Sequence, residues 1–373
     1  MTALPGLAAL VALVFTWRSE GQNRAELAVS EQGQITTRFN ESVTNLGSSS
    51  RDVRFGGIYA LERIMQDSAR DQPRVVSVLS AYIRTHAGVV PSDGFAKPDP
   101  DPEPATDLTA TADVLANRTP AQDGRALVDW NHADLRGLRL TAMHVKDTQA
   151  VLKRMRAAGT KSKGPSPSPS PPARLSLSFA NFTQTDLRNS VFVGVDLVGA
   201  WCIGTNFSAA SFQDVDLTDS VMAQANLVAA EFTNSTDLSS VYLAGADLRA
   251  ATAQPGTKFQ RADLRQARMS GAQLVSADLS GADLQRADLA AAESQDLSAA
   301  NRGAAESLPA ANLIGANLTG ANLRNAVLRG VSLRGANLAG ADFTDADLTG
   351  AELNGANCKG AIGLPSPSPC LST

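Results

Sequence analysis

Four carboxylates, Asp263, Asp278, Asp283 and Asp288, recur at multiples of five residues, each directly before a leucine. Two carboxylates held together can divide acid and base roles, provided a cleft excludes water and sets their proton affinities apart. A run of such residues at one slot of a repeat reads instead as a row of solvated charges on a convex wall. His86, His132 and His144 share no ligand spacing with cysteines or carboxylates, so no metal site is expected. Cys202 and Cys358 fall where the repeat otherwise has leucine and are expected as small buried hydrophobes. Cys370, in a Pro/Ser tail, is expected as a free exposed thiol, and no disulfide framework is implied. No GxSxG, HExxH, phosphate-loop or dinucleotide fingerprint occurs. The expectation is therefore no catalytic residue, no cofactor and no metal, and the chain is not read as an enzyme.

The elements that carry these residues follow from composition and period. The chain has 373 residues, with 33 basic and 37 acidic. That balance argues against a general polyanion binder. Aromatics make up 5% against 43% apolar residues, so the apolar mass is Ala, Leu and Val, suited to a thin core.

Between Gly315 and Leu348 the large apolar residues Leu318, Leu323, Leu328, Leu333, Leu338, Phe343 and Leu348 stand five apart. Ala or Val stands two residues before each, as Ala316 does before Leu318. A step of five smears around an α-helix of 3.6 residues per turn and reverses face at each step on a strand. A coil that turns a corner of about 90° every five residues puts all of them on one axis, four units to a turn, with backbone hydrogen bonds between turns about 4.8 Å apart. The small residue follows from space, since four large side chains per layer fill the lumen. The structural core is expected at Leu187, Leu197, Leu217, Leu227, Leu264, Leu279, Leu284, Leu313, Leu318, Leu323, Leu338 and Leu348. Asn317, Asn322, Arg324 and Asp347 are expected on the walls, where Asn322→Asp should be nearly silent.

Along the chain, residues 22–88 read as a helical unit, 89–107 as a Pro- and acid-rich linker, and 108–120 as a helix capping the tube. Residues 126–145 read as a first full turn of the coil. Residues 146–174 read as a basic, Ser/Pro-rich insert leaving and returning at a corner, 175–360 as the main repeat array and 361–373 as a flexible tail. The array slips by one residue before Leu238 and again near Pro255-Gly256, and blurs through 290–310. Lys146, Lys153, Arg154, Arg156, Lys161 and Lys163 of the insert read as a solvated loop, with anionic lipid as the other reading; the stretch has no aromatic residue to stack on a base, so nucleic acid is not an expected partner.

Residues 3–17, uncharged and apolar, are about 15 residues against the roughly 20 that a membrane span needs. Residues 1–17 are read as a membrane anchor, with Trp17 at the interface. Arg18 and Arg24 beyond it place the repeat domain on the cytoplasmic side as a single-pass protein.

The stretches "ANLTGANLRNA", "ADLSGADLQRADL" and "ADFTDADLTGAEL" resemble the pentapeptide-repeat family, whose motif is A(D/N)LXX. The resemblance implies a right-handed quadrilateral β-helix, mainly β, preceded here by an α-helical region, and often a homodimer. "VRFGGIYALERIMQDSARDQP" resembles a helical unit found before such repeats in bacterial membrane-attached proteins. Two functions follow. The first is a non-catalytic, membrane-tethered scaffold whose faces bind an unidentified protein partner. The second is implied by the family: mimicry of duplex DNA by an acidic rod that binds a type II topoisomerase such as gyrase. From Arg174 to Gly360 there are 19 acidic and 13 basic residues, a net of −6 interrupted by Arg261, Arg265, Arg268 and Arg286. That charge is weak for such a mimic.

Overall fold

The structure is a computed structural model that describes residues 32–88, 104–142, 174–274, 277–290, 311–365 and 370. The chain divides into two units, 1–75 and 76–373.

In the first unit, helix α1 (32–46) turns Ile35, Phe39, Ser42 and Leu46 inward at helical spacing. Helix α2 (Arg51–Asp67) buries Gly57, Ile58, Leu61, Ile64 and Met65. Gly57 allows the two helices to approach, since a Cβ there would stand 2.7 Å from the Ser42 carbonyl oxygen.

The second unit is a right-handed quadrilateral β-helix covered at one end by helices. Helix α3 (Gln72–His86) runs into it and is followed by α4 (Thr106–Ala116). Among the described residues seven short strands are all parallel: β1 (Arg139–Thr141), β2 (Leu175–Ser176), β3 (Val191–Val193), β4 (Val195–Asp196), β5 (Ser211–Gln213), β6 (Glu231–Thr233) and β7 (Thr252–Ala253). They form two sheets, β1-β3-β5-β6-β7 and β2-β4. Elsewhere each wall is a column of single parallel bridges. We name the walls by their columns: A through Asn181, Trp201 and Val221; B through Asp186, Asn206 and Asn226; C through β3, β5 and β6; D through Asp196, Asp216 and Asp237.

The period of five is one extended wall plus one corner. At each corner a β-turn is closed by the next alanine, as in Ala316 N–H to Leu313 C=O (3.1 Å) and Ala321 N–H to Leu318 C=O (3.0 Å). The residue just before that alanine is left-handed, with φ 65° at Gly315 and at Gly320 and 57° at Asn325. Asn181 bridges Trp201 and Trp201 bridges Val221, each exactly four repeats on, but Val221 bridges Tyr242, which stands one position further. The added residue sits after wall C, where Asn234 and Ser235 are both left-handed, and again one turn on, where Gly256 has φ 94°. A Cβ on Gly256 would stand 3.5 Å from Ser235 Oγ, so the two bulges are stacked.

Two insertions leave the rungs of walls A and B unbroken. Asp129 bridges Asn181 and Asp134 bridges Asp186, so adjacent rungs come from opposite sides of the first insertion. The first turn therefore takes walls A, B and C from 128–142 and wall D from β2, rather than all four from 126–145. Asp278 bridges Asn312 and Asp283 bridges Asn317, a longer step than one turn, so a second insertion lies in the stretch that only blurs in the sequence. Residues 143–173, with the basic insert, and 291–310 lie outside the described residues. The array also runs past 360, since Ile362 bridges Asp342.

Inside, leucine and alanine alternate around each layer. Phe192, Phe212 and Phe232 stack down wall C with centroids 5.4 and 5.3 Å apart. Where that wall shrinks to Ala253, Phe259 of wall D meets the Phe232 ring at 5.9 Å. Polar residues in the alanine slot pair with backbone: Thr185 Oγ1 donates to Trp130 C=O at 2.8 Å and Thr205 Oγ1 to Phe182 C=O at 2.6 Å. Ser220 occupies the same slot, fully buried, and its hydroxyl has no partner.

The first turn has no turn above it, and the helices satisfy its edge. Asp129 N–H donates to Ser80 Oγ (3.3 Å), and Arg84 Nη1 donates to Asp129 C=O (2.9 Å) and to its carboxylate (2.6 Å). Arg118, nine-tenths buried, donates to Ser176 C=O (2.7 Å), to Leu115 C=O (2.8 Å) and to Asp123 (2.8 Å). Helix α4 is apolar nearly all round, burying Leu108, Ala112, Val114 and Leu115, and packs on β1 and β2 at the open end of the tube. Tyr82 of α3 donates to Asp107 at its start (2.6 Å).

Two expectations are corrected. No helix among the described residues is long and apolar enough to cross a membrane, which overturns the single-pass anchor and the cytoplasmic placement drawn from it. Residues 1–17 lie outside the described residues, and an apolar stretch of about 15 residues spans only about 22 Å as a helix against a hydrocarbon core of about 30 Å. Cys370 is not a free thiol: it forms a disulfide with Cys358, whose Cα lies 5.9 Å away. Its slot let Cys358 pass for a buried hydrophobe, but in the last turn that slot is only partly covered.

Ser220→Ala removes a buried hydroxyl without a partner and is expected to stabilise the rod by about 1 kcal/mol, read as a higher midpoint in urea. Leu323→Asp places an unpaired carboxylate in the dry lumen and is expected to cost on the order of 4 kcal/mol. Equal midpoints for the two variants would refute the inward placement of both slots.

Candidate interaction surface

The slot before each leucine faces outward, and its Asp or Asn is not idle. Its Oδ1 accepts the backbone N–H two residues on, fastening the corner, as in Asp278 to Ser280 N–H (3.0 Å) and Asp283 to Gln285 N–H (3.1 Å). Asparagines add a second bond between turns. Asn312 Nδ2 donates to Asp278 (3.1 Å), Asn317 to Asp283 (3.0 Å) and Asn322 to Asp288 (2.9 Å). The four carboxylates that could have done acid–base work are thus acceptors in a lattice.

Their electrostatics match that role. The guanidinium of Arg265 donates to Asp263 at 2.8 and 2.6 Å and holds its carboxyl below the usual range. Partial burial pushes Asp278 up, but hydrogen bonds from Gln260, Ser280 and Asn312 outweigh it and leave it low. Asp347 is pulled down to about 2 by bonds from Thr349 and Arg329. Asp263, Asp278 and Asp347 are thereby held in the charged form at neutral pH. Asn322 is therefore more than a wall residue. Asn322→Asp would set a carboxylate against Asp288 and remove its bond, and it is expected to cost about 1–2 kcal/mol at low salt and less at high salt. Chemical denaturation at two ionic strengths checks this, and a silent substitution would refute the ladder.

His86 and His132 belong to no metal-binding group. His86 stacks on Tyr82 with centroids 4.1 Å apart, and its Nδ1 lies 2.9 Å from Thr85 Oγ1 and from Tyr82 C=O. His132 is a left-handed corner residue, and His144 lies outside the described residues. Among the described residues no three His, Cys, Asp or Glu side chains are grouped to hold a metal ion. Cys202 is buried, and burial pushes its thiol well above the ordinary range, out of reach as a nucleophile. Of the leucines singled out in the sequence, Leu187, Leu197, Leu217, Leu227, Leu264, Leu279, Leu284, Leu313, Leu318, Leu323 and Leu338 are at most 2% exposed. Leu348 is partly exposed.

What the walls offer, among the described residues, is a mostly polar surface with an apolar region on wall A. On wall A, Trp201, Val221 and Tyr242 replace Asp or Asn in three successive turns. Trp201 and Tyr242 are 58% and 40% exposed, and Ile203 beside Trp201 is 37% exposed. At the corner between walls D and A, Phe179 is 62% exposed, and a Cβ on Gly199 one turn below would stand 2.6 Å from its ring. The sequence carried the signal, a slot changing from Asp or Asn to Trp, Val and Tyr. Its meaning depends on register: the three share a column only because the turn from Val221 to Tyr242 holds one residue more than the turn before it. The carboxylates elsewhere are largely paired: Asp186 with Arg188 (2.7 Å), Asp247 with Arg249 (2.8 Å) and Arg268 (3.2 Å), and Asp342 with Arg324 (3.1 Å).

The family model for pentapeptide repeats matches this chain in eight copies, over 176–252, 256–292 and 311–362. No curated protein matches the chain. Among solved structures it is similar to a trypsin-treated form of QnrB1, a plasmid-mediated fluoroquinolone resistance protein, at 23% identity over 50% of this chain and 85% of that one (TM-score 0.36). It is also similar to HetL, a pentapeptide repeat protein involved in heterocyst differentiation regulation from the cyanobacterium Nostoc sp. strain PCC 7120, at 26% identity over 64% and 91% (TM-score 0.20). A third is the pentapeptide repeat protein Rfr23 from the cyanobacterium Cyanothece 51142, at 32% identity over 31% and 63% (TM-score 0.15). The five-residue corner and the Ala and Leu slots of the lumen agree with the matched segments: over 176–252, 256–292 and 311–362 this β-helix is similar to pentapeptide repeats.

Proposed function

We propose that the protein is a non-catalytic interaction module, a rigid rod whose walls bind a partner protein. The observation that carries this is the exposed apolar region on wall A, where Trp201, Val221 and Tyr242 follow one another in walls that are elsewhere mostly polar or charged. A large apolar side chain in a slot built for Asp or Asn gives up the corner bond that Asp or Asn makes there. Contiguous exposed apolar residues rimmed by polar ones are typical of binding surfaces. The grouped residues favour no reaction, because the carboxylates are tied into the corner lattice and the one free cysteine is buried.

Duplex mimicry draws less support. It needs an uninterrupted acidic stripe, and the arginines at 188, 249, 265 and 324 neutralise the carboxylates beside them.

A photoreactive amino acid placed singly at Val221 on wall A, Asn226 on wall B, Gln213 on wall C and Thr218 on wall D of the full chain tests the proposal in the native host. Protein adducts from at least one wall are expected. No adduct from any wall would overturn the module, and inhibition of gyrase supercoiling by the purified chain would favour the mimic instead.

A further inference from the structure

This inference rests on the interaction module and gives it an edge and a ligand chemistry. We propose that the edge between walls D and A, over the turns that carry Phe179, Trp201 and Tyr242, docks a segment of a partner protein bearing apolar or aromatic side chains flanked by lysine or arginine.

The apolar half is bounded. Asn181 stands one rung above Trp201, and Asp263 one rung below Tyr242. Between them Trp201, Val221 and Tyr242 rise at about 4.8 Å per rung. The Phe179 ring covers the corner at Gly199, whose φ of 64° and missing side chain let it lie against the backbone. This makes a broad apolar shelf rather than a scatter of single residues.

The other half is acidic. Wall D presents Asp196 and Asp216 in successive turns, and Asp219 lies at the corner one turn below Gly199. One oxygen of Asp196 is taken by Val198 N–H and one of Asp216 by Thr218 N–H, each at 3.0 Å. Among the described residues no cation pairs with Asp196, Asp216 or Asp219, in contrast to Asp186, Asp247, Asp263 and Asp342. Lys258 of wall D is engaged with Asp237 (3.0 Å) and Arg174 with Asp214 (3.1 Å), and Arg261 stands at the same corner two turns below Asp219, beyond the apolar rungs. An apolar shelf beside uncompensated carboxylates selects a ligand with both features. It repels phosphate backbones and gives a purely polar cation nothing to bury. Aromatic anchors in such a site supply most of the affinity, and rim charges supply steering and salt dependence.

The test uses the full chain and three short fluorescein-labelled peptides of equal length: one alternating Lys with Leu and Trp, one alternating Lys with Ser, and one alternating Glu with Leu. Anisotropy titrations are run at two salt concentrations. The first peptide is expected to bind, more weakly at high salt, and the other two are not. Trp201→Ser with Tyr242→Ser is expected to weaken binding at least about tenfold. Phe179→Ser, outside the lumen, is a second reporter should the double variant lose its circular dichroism. Asp216→Asn with Asp219→Asn should remove most of the salt dependence, and Gln213→Ser with Thr233→Ala on wall C should change nothing. Equal binding of the two lysine peptides, or unaltered binding by the edge variants, overturns the proposal. So does binding that emerges only when the basic residues of 146–163 are replaced by glutamine, which would make this chain's own insert the occupant. Adducts from walls B or C alone in the crosslinking experiment would keep the module and remove this edge.

Discussion

Everything in the β-helix depends on filling a narrow square lumen. Each layer has eight inward positions and volume for four large side chains, so the others must be small. A leucine and an alanine per wall meet that constraint at close packing. The corner supplies the rest. A left-handed residue and one turn hydrogen bond rotate the chain through a right angle without leaving the layer. Asp or Asn ahead of the leucine holds the turn by accepting the amide beyond it. Core, corner and wall are therefore one five-residue solution repeated, and a fault in one slot is felt in the layers above and below.

The constraint also explains which departures are tolerated. Thr185 and Thr205 enter the small slot by donating to a carbonyl of the turn above. Ala253 enters the large slot because Phe259 reaches across. Ser220 has neither compensation. At the helical end, the exposed edge of the first turn is met by Ser80, Arg84 and Arg118, three polar side chains aimed at its backbone groups.

Much of this was legible in the sequence, because volume alternation is a local property. The period, the Leu and Ala slots and both one-residue slips follow from residue types and spacing. What was not legible depends on register across gaps. The turn shared between 128–142 and 175–179, and the second insertion within 291–310, become visible only from the bridges that span them, Asp129 to Asn181 and Asp278 to Asn312. The column of Trp201, Val221 and Tyr242 is hidden for the same reason. Cys358 was hidden by its slot, since a half-cystine at the end of the tube looks like any small apolar residue until Cys370 folds back on it. The wall carboxylates were misjudged because their partners are backbone amides and asparagines of other turns, which composition does not reveal.

The irregularities share an address. Both one-residue bulges follow wall C, the first insertion leaves after wall C, and the second falls between walls B and D. A square prism of identical repeats looks the same after each quarter rotation, and a partner could seat on it in four equivalent ways. By gathering its defects along one side, this chain acquires a keel. Walls A and B keep unbroken columns, and rotational ambiguity is gone before any ligand arrives.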